Sequence, residues 1–334
     1  MVKLKEINQF VLSKKMKILF IAPEYLDLYK IILSELINEG YDVNYLEDKY
    51  LKYDSYLNCG HSITSLIKKY SKRCVSNLMP YEEYYKQHDK LLFQKYDILL
   101  TINGFCIRKS LIKRLQRYNP DIKTRLYLWD NIRAYDFRHV IKLFDKCYSL
   151  DYEDCEKIKK LTFFPTFWNG ERNKNFQIKY KVSMIGTMHD DRYFVSKRIS
   201  EILNYYGYRY FIKVVAYDKE RKYQDDPLIT YKFYSPEEFN EIMSQSECIL
   251  DTERIGQTGP TVRMIWALAL GKKVITTNQY IKKMPFYNPD QICIIDRRHP
   301  YVDRAFLEKN FITHSLSPYF LNLRIDNWIK FILL

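Results

Sequence analysis

Short, almost wholly apolar runs recur along this chain, and each stops at a proline, a glycine or a polar residue. Residues 16–22 run into Pro23, residues 124–129 into Asp130, residues 146–150 into Asp151, and residues 181–185 into Gly186. Further runs cover 41–46, 96–102, 210–216, 248–250, 273–277 and 291–295. A strand with one wet face alternates polar and apolar residues. A strand apolar at nearly every position is buried on both faces, as in a parallel sheet covered by helices. Segments with helical spacing lie between the runs: 29–38 closed by Gly40, 109–118, 193–205 stopped by Gly207, and 260–270 closed by Gly271. Glycine just past the last turn is a common helix C-cap. Ser235, Pro236 and Glu238 form a complete helix-start signal, with cap, first-position proline and capping-box glutamate.

This alternation predicts an α/β protein. At 334 residues two domains are the natural division. The expected boundaries are a polar extension over 1–15, a Rossmann-like domain over 16–168, a linker over 169–178, a second Rossmann-like domain over 179–316, and a terminal helix over 317–334. The region 49–94 is polar, Tyr-rich and has no clear period. Two doubly wound domains leave a cleft between the carboxyl ends of their sheets, and ligands in open sheets bind outside those ends.

Composition narrows the partners. The net charge is +14, which favours phosphorylated ligands, acidic lipids or nucleic acid. The basic residues are dispersed, with small knots such as Lys68-Lys69 and Arg297-Arg298, and no basic arm or RNA-binding signature accompanies them. Nucleic acid is therefore the weakest of the three. The seven cysteines form no CxxC. With an odd count and no signal peptide they imply a reducing, cytoplasmic setting. No apolar stretch approaches the ~20 residues that cross a bilayer.

Chemistry concentrates in 251–278. Thr258 and Gly259 bring backbone close to a ligand, and Pro260 stands at the expected first position of a helix whose free N–H groups favour an anion. Thr261 adds a hydroxyl and Arg263 a fork of donors suited to phosphate oxygens. Asp251, Glu253 and Arg254 are then left to orient a sugar or ribose. The tip of the 181–186 strand carries Gly186, Thr187, His189, Asp190, Asp191 and Arg192. Thr187 and Arg192 are further phosphate ligands, while Asp190 and Asp191 serve equally well as helix-start carboxylates.

These residues resemble the second domain of two-domain (GT-B) glycosyltransferases, closest to those that build bacterial capsule, lipopolysaccharide and spore-coat sugars. The family's loop Gln-Thr-Gly-x-Thr-x-Arg matches Gln257 to Arg263, and its Ala-Leu-Ala-x-Gly-Lys-Lys-x-Ile-Thr-Thr-Asn matches Ala267 to Asn278. Its Gly-Thr-x-His-x-x-Arg loop matches Gly186 to Arg192. In the first domain the likeness is limited to residues 128–130 and 149–154. The resemblance implies a nucleotide-sugar donor, a glycan or lipid-linked glycan acceptor, and a terminal helix crossing back to the first domain. It adds Gln257 to the sugar- or ribose-binding set. It implies no cofactor, and no metal, because this class neutralises the diphosphate with basic groups and helix ends. A general base from the first domain is expected, with Asp130, Glu24 and Asp27 as candidates; Asp151 also ends a strand.

One departure stands out. Where the family has Glu before Ala-Leu-Ala, this chain has Trp266, whose indole only donates. An alternative is thus a non-catalytic nucleotide-sugar-binding or scaffold member, in which Trp266→Glu restores turnover. A basic nucleic-acid-binding protein is the second alternative. The apolar segment 319–334 packs across the domain junction in one reading, and makes a weak anionic membrane-surface contact at the inner face of the cell membrane in the other.

Overall fold

The computed structural model describes residues 15–49, 80–170, 177–217, 225–311 and 317–334. Residues 1–14 of the expected extension, most of the linker and the Lys68-Lys69 knot lie outside the described residues.

Twelve strands form two sheets of six, every pair parallel. The first contains β1 (Lys17–Ala22), β2 (Asp42–Glu47), β3 (Ile98–Ile102), β4 (Lys123–Leu128), β5 (Lys146–Ser149) and β6 (Leu161–Phe163), in the order β2-β1-β3-β4-β5-β6. The second contains β7 (Tyr180–Thr187), β8 (Tyr210–Val215), β9 (Ile229–Thr230), β10 (Ser246–Asp251), β11 (Lys273–Thr276) and β12 (Ile292–Ile294), in the order β12-β11-β10-β7-β8-β9. The continuous apolar runs are the central strands. Ile18 to Ala22 and Leu99, Leu100 and Ile102 are all fully buried. The two-residue β9 is too short to leave a pattern in the sequence.

Eight of the helices matter below: α1 (Leu28–Asn38), α2 (Lys109–Tyr118), α3 (Tyr152–Lys157), α4 (Arg192–Tyr205), α5 (Pro236–Ser244), α6 (Val262–Ala269), α7 (Pro318–Asn322) and α8 (Ile325–Leu333). The Ser235 signal closes as a full capping box with Glu238. The expected terminal helix is broken at Leu323 into α7 and α8.

The architecture is the expected one, two Rossmann-like, doubly wound domains facing across a cleft, the arrangement called GT-B. In each sheet the chain reverses direction beside its first strand, between β1 and β3 and between β7 and β10. Crevices form at such switch points, outside the carboxyl ends of the strands. Here both crevices open onto the same space.

α8 packs on α1 and β4 of the first sheet. Trp328, fully buried, donates to the Pro165 carbonyl at 3.0 Å, and Arg125 on β4 donates to the Leu333 carbonyl. Apolar residues occupy more than one face of this segment because more than one face is covered. One buried cluster runs from Phe20 through Tyr127, Phe167 and Trp328 to Met264–Ala269, so the core is continuous across the junction. Among the described residues no helix is long and apolar enough to cross a membrane.

Candidate active site

A cavity of about 420 Å³ lies between the two switch points, a size within the ordinary range for small-ligand sites. From the first domain come Pro23, Tyr25 and Leu28 after β1, Asn103 and Phe105 after β3, and Trp129 and Asp130 after β4. From the second come Gly186, Thr187, His189 and Arg192 after β7, Glu253 to Gln257 in part after β10, and Thr261 to Arg263 at the start of α6.

Two guanidinium groups meet at its floor. A Cβ built on Gly186 would lie 2.7 Å from Arg263 Nη2 and 2.8 Å from Arg192 Nη1. A side chain at this position would push one or both guanidinium groups aside. Arg263 donates to the Ile185 carbonyl at 3.1 Å and to Asp251 at 2.7 Å. Arg192 is held by neutral oxygens, the Thr252 hydroxyl at 2.8 Å and the Thr187 and Thr252 carbonyls at 2.6 Å. Burial, and then the charge of Arg263, press Arg192 down to about 9. Its environment disfavours the cation, a condition that a bound anion relieves. Arg254 adds an exposed guanidinium on the same cavity.

Asp251 is fully buried and does not line the cavity. It accepts from Thr261 at 2.6 Å, Arg263 at 2.7 Å and Thr276 at 3.3 Å. Its part is therefore to aim Arg263 and Thr261, a correction to the expected sugar contact. Glu253 does line the cavity, but accepts from Thr277 and Arg297 at 2.5 Å each, and burial raises its pKa. Arg297 also pairs with Asp191. By engaging both carboxylates Arg297 leaves Arg192 and Arg263 facing the cavity, a role that its place in a dispersed basic knot could not signal. Gln257 lines the cavity and donates to the Gly259 carbonyl at 3.2 Å.

The helix start is shifted from the expected place. Val262, not Pro260, is the first residue of α6, and Thr261 is its cap, accepting from Met264 N–H at 3.1 Å. Thr258 and Gly259 are not at the cavity. Thr258 donates twice to Asp151, by N–H and by hydroxyl, at 2.8 Å each, and accepts from Glu153 N–H at 3.0 Å. A Cβ on Gly259 would fall 1.6 Å from the Leu150 carbonyl oxygen. The close backbone approach read from these two residues is real, but the approaching group is the first domain rather than a ligand. Asp151, a strand-end carboxylate like Asp130, is for the same reason an interdomain anchor.

Of the three candidate bases only Asp130 lines the cavity. Asn103 donates to it at 2.9 Å, and burial raises its pKa against the opposing effects of Arg254 and Asn103. Glu24 is exposed, and Asp27 pairs with Lys30 at 3.0 Å on the surface; the loop that carries them turns Pro23, Tyr25 and Leu28 inward instead. His189 lines the cavity beside Asp190 at 3.2 Å, and burial followed by the Arg192 charge pushes it down to about 3, so it is neutral at ordinary pH. Among the described residues no group of three His, Cys, Asp or Glu side chains is arranged to hold a metal ion.

No protein-family model matches this chain, and no curated protein matches it either. Solved structures do. The UDP-GlcNAc 2-epimerase of Neisseria meningitidis is similar over 84% of this chain and 88% of its own, with 14% identity and a TM-score of 0.40. The spinosyn rhamnosyltransferase SpnG is similar over 95% and 91%, with 10% identity and a TM-score of 0.47. Arabidopsis thaliana UGT89C1 is similar over 96% and 95%, with 10% identity and a TM-score of 0.47. Likenesses this distant say nothing about individual residues.

Trp266, at the position where the sequence resemblance leads one to expect a carboxylate, borders the cavity but is only 2% exposed. Its indole N–H donates to the Phe167 carbonyl at 2.8 Å and its ring packs edge-on to Phe239. It joins the domains. Asn103 and Asp48 are also absent from the residues that the motifs single out. The one available signal is Asn-Gly directly after the apolar run of β3, a pair suited to a left-handed turn.

Proposed function

We propose that this protein is a glycosyltransferase that moves a sugar from a nucleotide-sugar donor to a glycan acceptor. The observation that carries the reading is the pair Arg192 and Arg263 over Gly186, set across one cavity from the base candidate Asp130. Transfer by a single displacement needs a base at the attacking hydroxyl and positive charge at the departing diphosphate. Asp130 takes the proton as the acceptor oxygen bonds to the anomeric carbon. The bond from that carbon to the diphosphate oxygen breaks, and Arg192, Arg263 and the first turn of α6 receive the charge. A cell-surface glycan, of capsule or lipopolysaccharide type, is the acceptor that the sequence resemblance favours.

Titration calorimetry against a panel of nucleoside diphosphates tests the donor half. Saturable binding is expected, weakened at least about tenfold (~1.4 kcal/mol) by Arg263→Ala, in line with the loss of one charge-assisted hydrogen bond. No binding by any nucleotide sinks the proposal. The commitment of Trp266 to Phe167 favours a second reading, a member that binds the donor without turnover. Donor binding with no hydrolysis or transfer in a screen of sugar nucleotides would select it.

A further inference from the structure

Asp130 does not stand alone at the end of β4. The chain leaves β3 through two consecutive left-handed residues, Asn103 with φ 61° and Gly104 with φ 84°. Few residues other than glycine adopt this conformation, and asparagine is among those that do. Asn103 is buried, and its N–H and side-chain amide turn to the neighbouring strand end. Its N–H donates to the Tyr127 carbonyl at 2.9 Å, its side-chain oxygen accepts from Trp129 N–H at 2.8 Å, and its side-chain nitrogen donates to Asp130 Oδ2 at 2.9 Å. The other side of the same turn is gripped by Asp48, just past β2. Its buried carboxylate accepts the consecutive N–H groups of Gly104 and Phe105 at 2.8 Å each and of Cys106 at 2.7 Å. Asp48 is tied in turn to β1 by its own N–H, which donates to the Ala22 carbonyl at 2.9 Å. Thus β1, β2, β3 and β4 converge, through Asp48 and Asn103, on one oxygen of Asp130.

We propose that Asn103, with its turn held by Asp48, is a positioning residue for Asp130: it fixes the plane of that carboxylate, occupies Oδ2 and leaves Oδ1 to the acceptor hydroxyl. This rests on the glycosyl-transfer reading. The amide donor has a chemical consequence beyond orientation. A hydrogen bond to the ionised form favours it, so Asn103 opposes the rise that burial imposes on Asp130. The charged group that acts on Asp130 from the second domain is Arg254, on the loop after β10, and it works in the same direction.

Two variants separate positioning from mere support of the loop. Asn103→Gly keeps the left-handed turn and removes the amide. Asn103→Asp keeps the shape, tolerates the turn, and faces Asp130 with an acceptor. With a sugar nucleotide that the protein hydrolyses or transfers, both are expected to lower kcat tenfold or more with donor KM unchanged. Both should move the acidic limb of the pH profile upward, Asn103→Asp further than Asn103→Gly. Wild-type kcat and an unmoved limb in the folded variants overturn the proposal. A measurement on the unaltered chain needs neither turnover nor a tolerated variant. The side-chain amide resonances of Asn103 should shift with pH as Asp130 titrates, and lose that dependence in Asp130→Asn. A pH-independent Asn103 amide overturns the coupling, whatever the nucleotides do. Failure of every nucleoside diphosphate to bind would instead count against the glycosyl-transfer reading.

Discussion

Arg192 owes its place to Gly186, at the other end of its own motif, and to Thr252, which no motif links to it. Gly186 leaves room above the β7 backbone, and Thr252 supplies two of its three acceptors. Of the two guanidinium groups, Arg263 is paired with a carboxylate, Asp251, while Arg192 is held by neutral oxygens. A pH dependence follows. Free Arg192 titrates at about 9 because burial and Arg263 disfavour its charge, and a bound diphosphate raises that value. Affinity is therefore full below the free value, starts to fall as pH passes it, and is wholly lost only above the raised value of the bound state. Calorimetry with a nucleoside diphosphate should give a constant Kd from pH 7 to 8 and a clear weakening by pH 10. A Kd flat to pH 10 would refute the lowered titration of Arg192. At this scale the sequence reading put Gly186, Thr187 and Arg192 at a strand tip and Arg263 at a helix start, and all four line the cavity. It could not separate the Glu253 that meets the cavity from the Asp251 that does not, since two residues apart on one loop they carry the same chemical signal.

The start of α6 shows how an element can be recognised correctly and assigned the wrong neighbour. A turn rich in Thr and Gly ahead of a helix is suited to an anion or to a second piece of protein. Here the first half of the turn, Thr258 and Gly259, takes the protein, and the second half, Thr261 to Arg263, takes the cavity. Trp266 lies one turn further on, and its indole fastens α6 to the segment after β6 at Phe167. Trp266→Glu is accordingly expected to destabilise rather than to restore turnover. It removes a buried aromatic at a cost of about 3–5 kcal/mol and sets a carboxylate against a carbonyl. Trp266→Phe keeps most of the packing and leaves the Phe167 carbonyl unpaired, for about 1–3 kcal/mol. Denaturant unfolding measures both, and equal stability of Trp266→Glu and the parent chain would refute the structural role.

At the scale of the molecule the two domains meet through a small set of contacts on one side of the cavity: Asp151 to Thr258, Leu150 against Gly259, Tyr280 to Glu153 at 3.0 Å, and Trp266 to Phe167. The long core that passes through Trp328 lies behind them. Gly259→Ala attacks the tightest point. A methyl group 1.6 Å from the Leu150 oxygen cannot be accommodated, so the loop must withdraw and release Thr258 from Asp151. Overpacking of this kind costs about 1–3 kcal/mol. A larger radius of gyration in solution scattering, or separate melting of the domains, is the expected sign. A Gly259→Ala chain with the parent's dimensions and stability would show that this contact does not hold the domains together.

The sequence by itself determined the α/β class, the doubly wound domains and the presence of Arg192 and Arg263 at the cleft. These follow from local causes: strands buried on both faces are apolar at every position, helices carry their caps beside them, and ligand-facing residues cluster at strand tips. Only the tertiary structure decided which of those residues share the cavity. It set Asp130 apart from Glu24 and Asp27, gave Thr258 and Gly259 to the interface, closed Trp266 into the core, and brought Asp48 to the turn that carries Asn103. The physical reason is that a hydrogen bond between residues 48 and 104 forms only when the first sheet has brought β2 and β3 to opposite sides of β1, and one between residues 151 and 258 only when the two domains face each other. No period or motif along the chain records such a meeting.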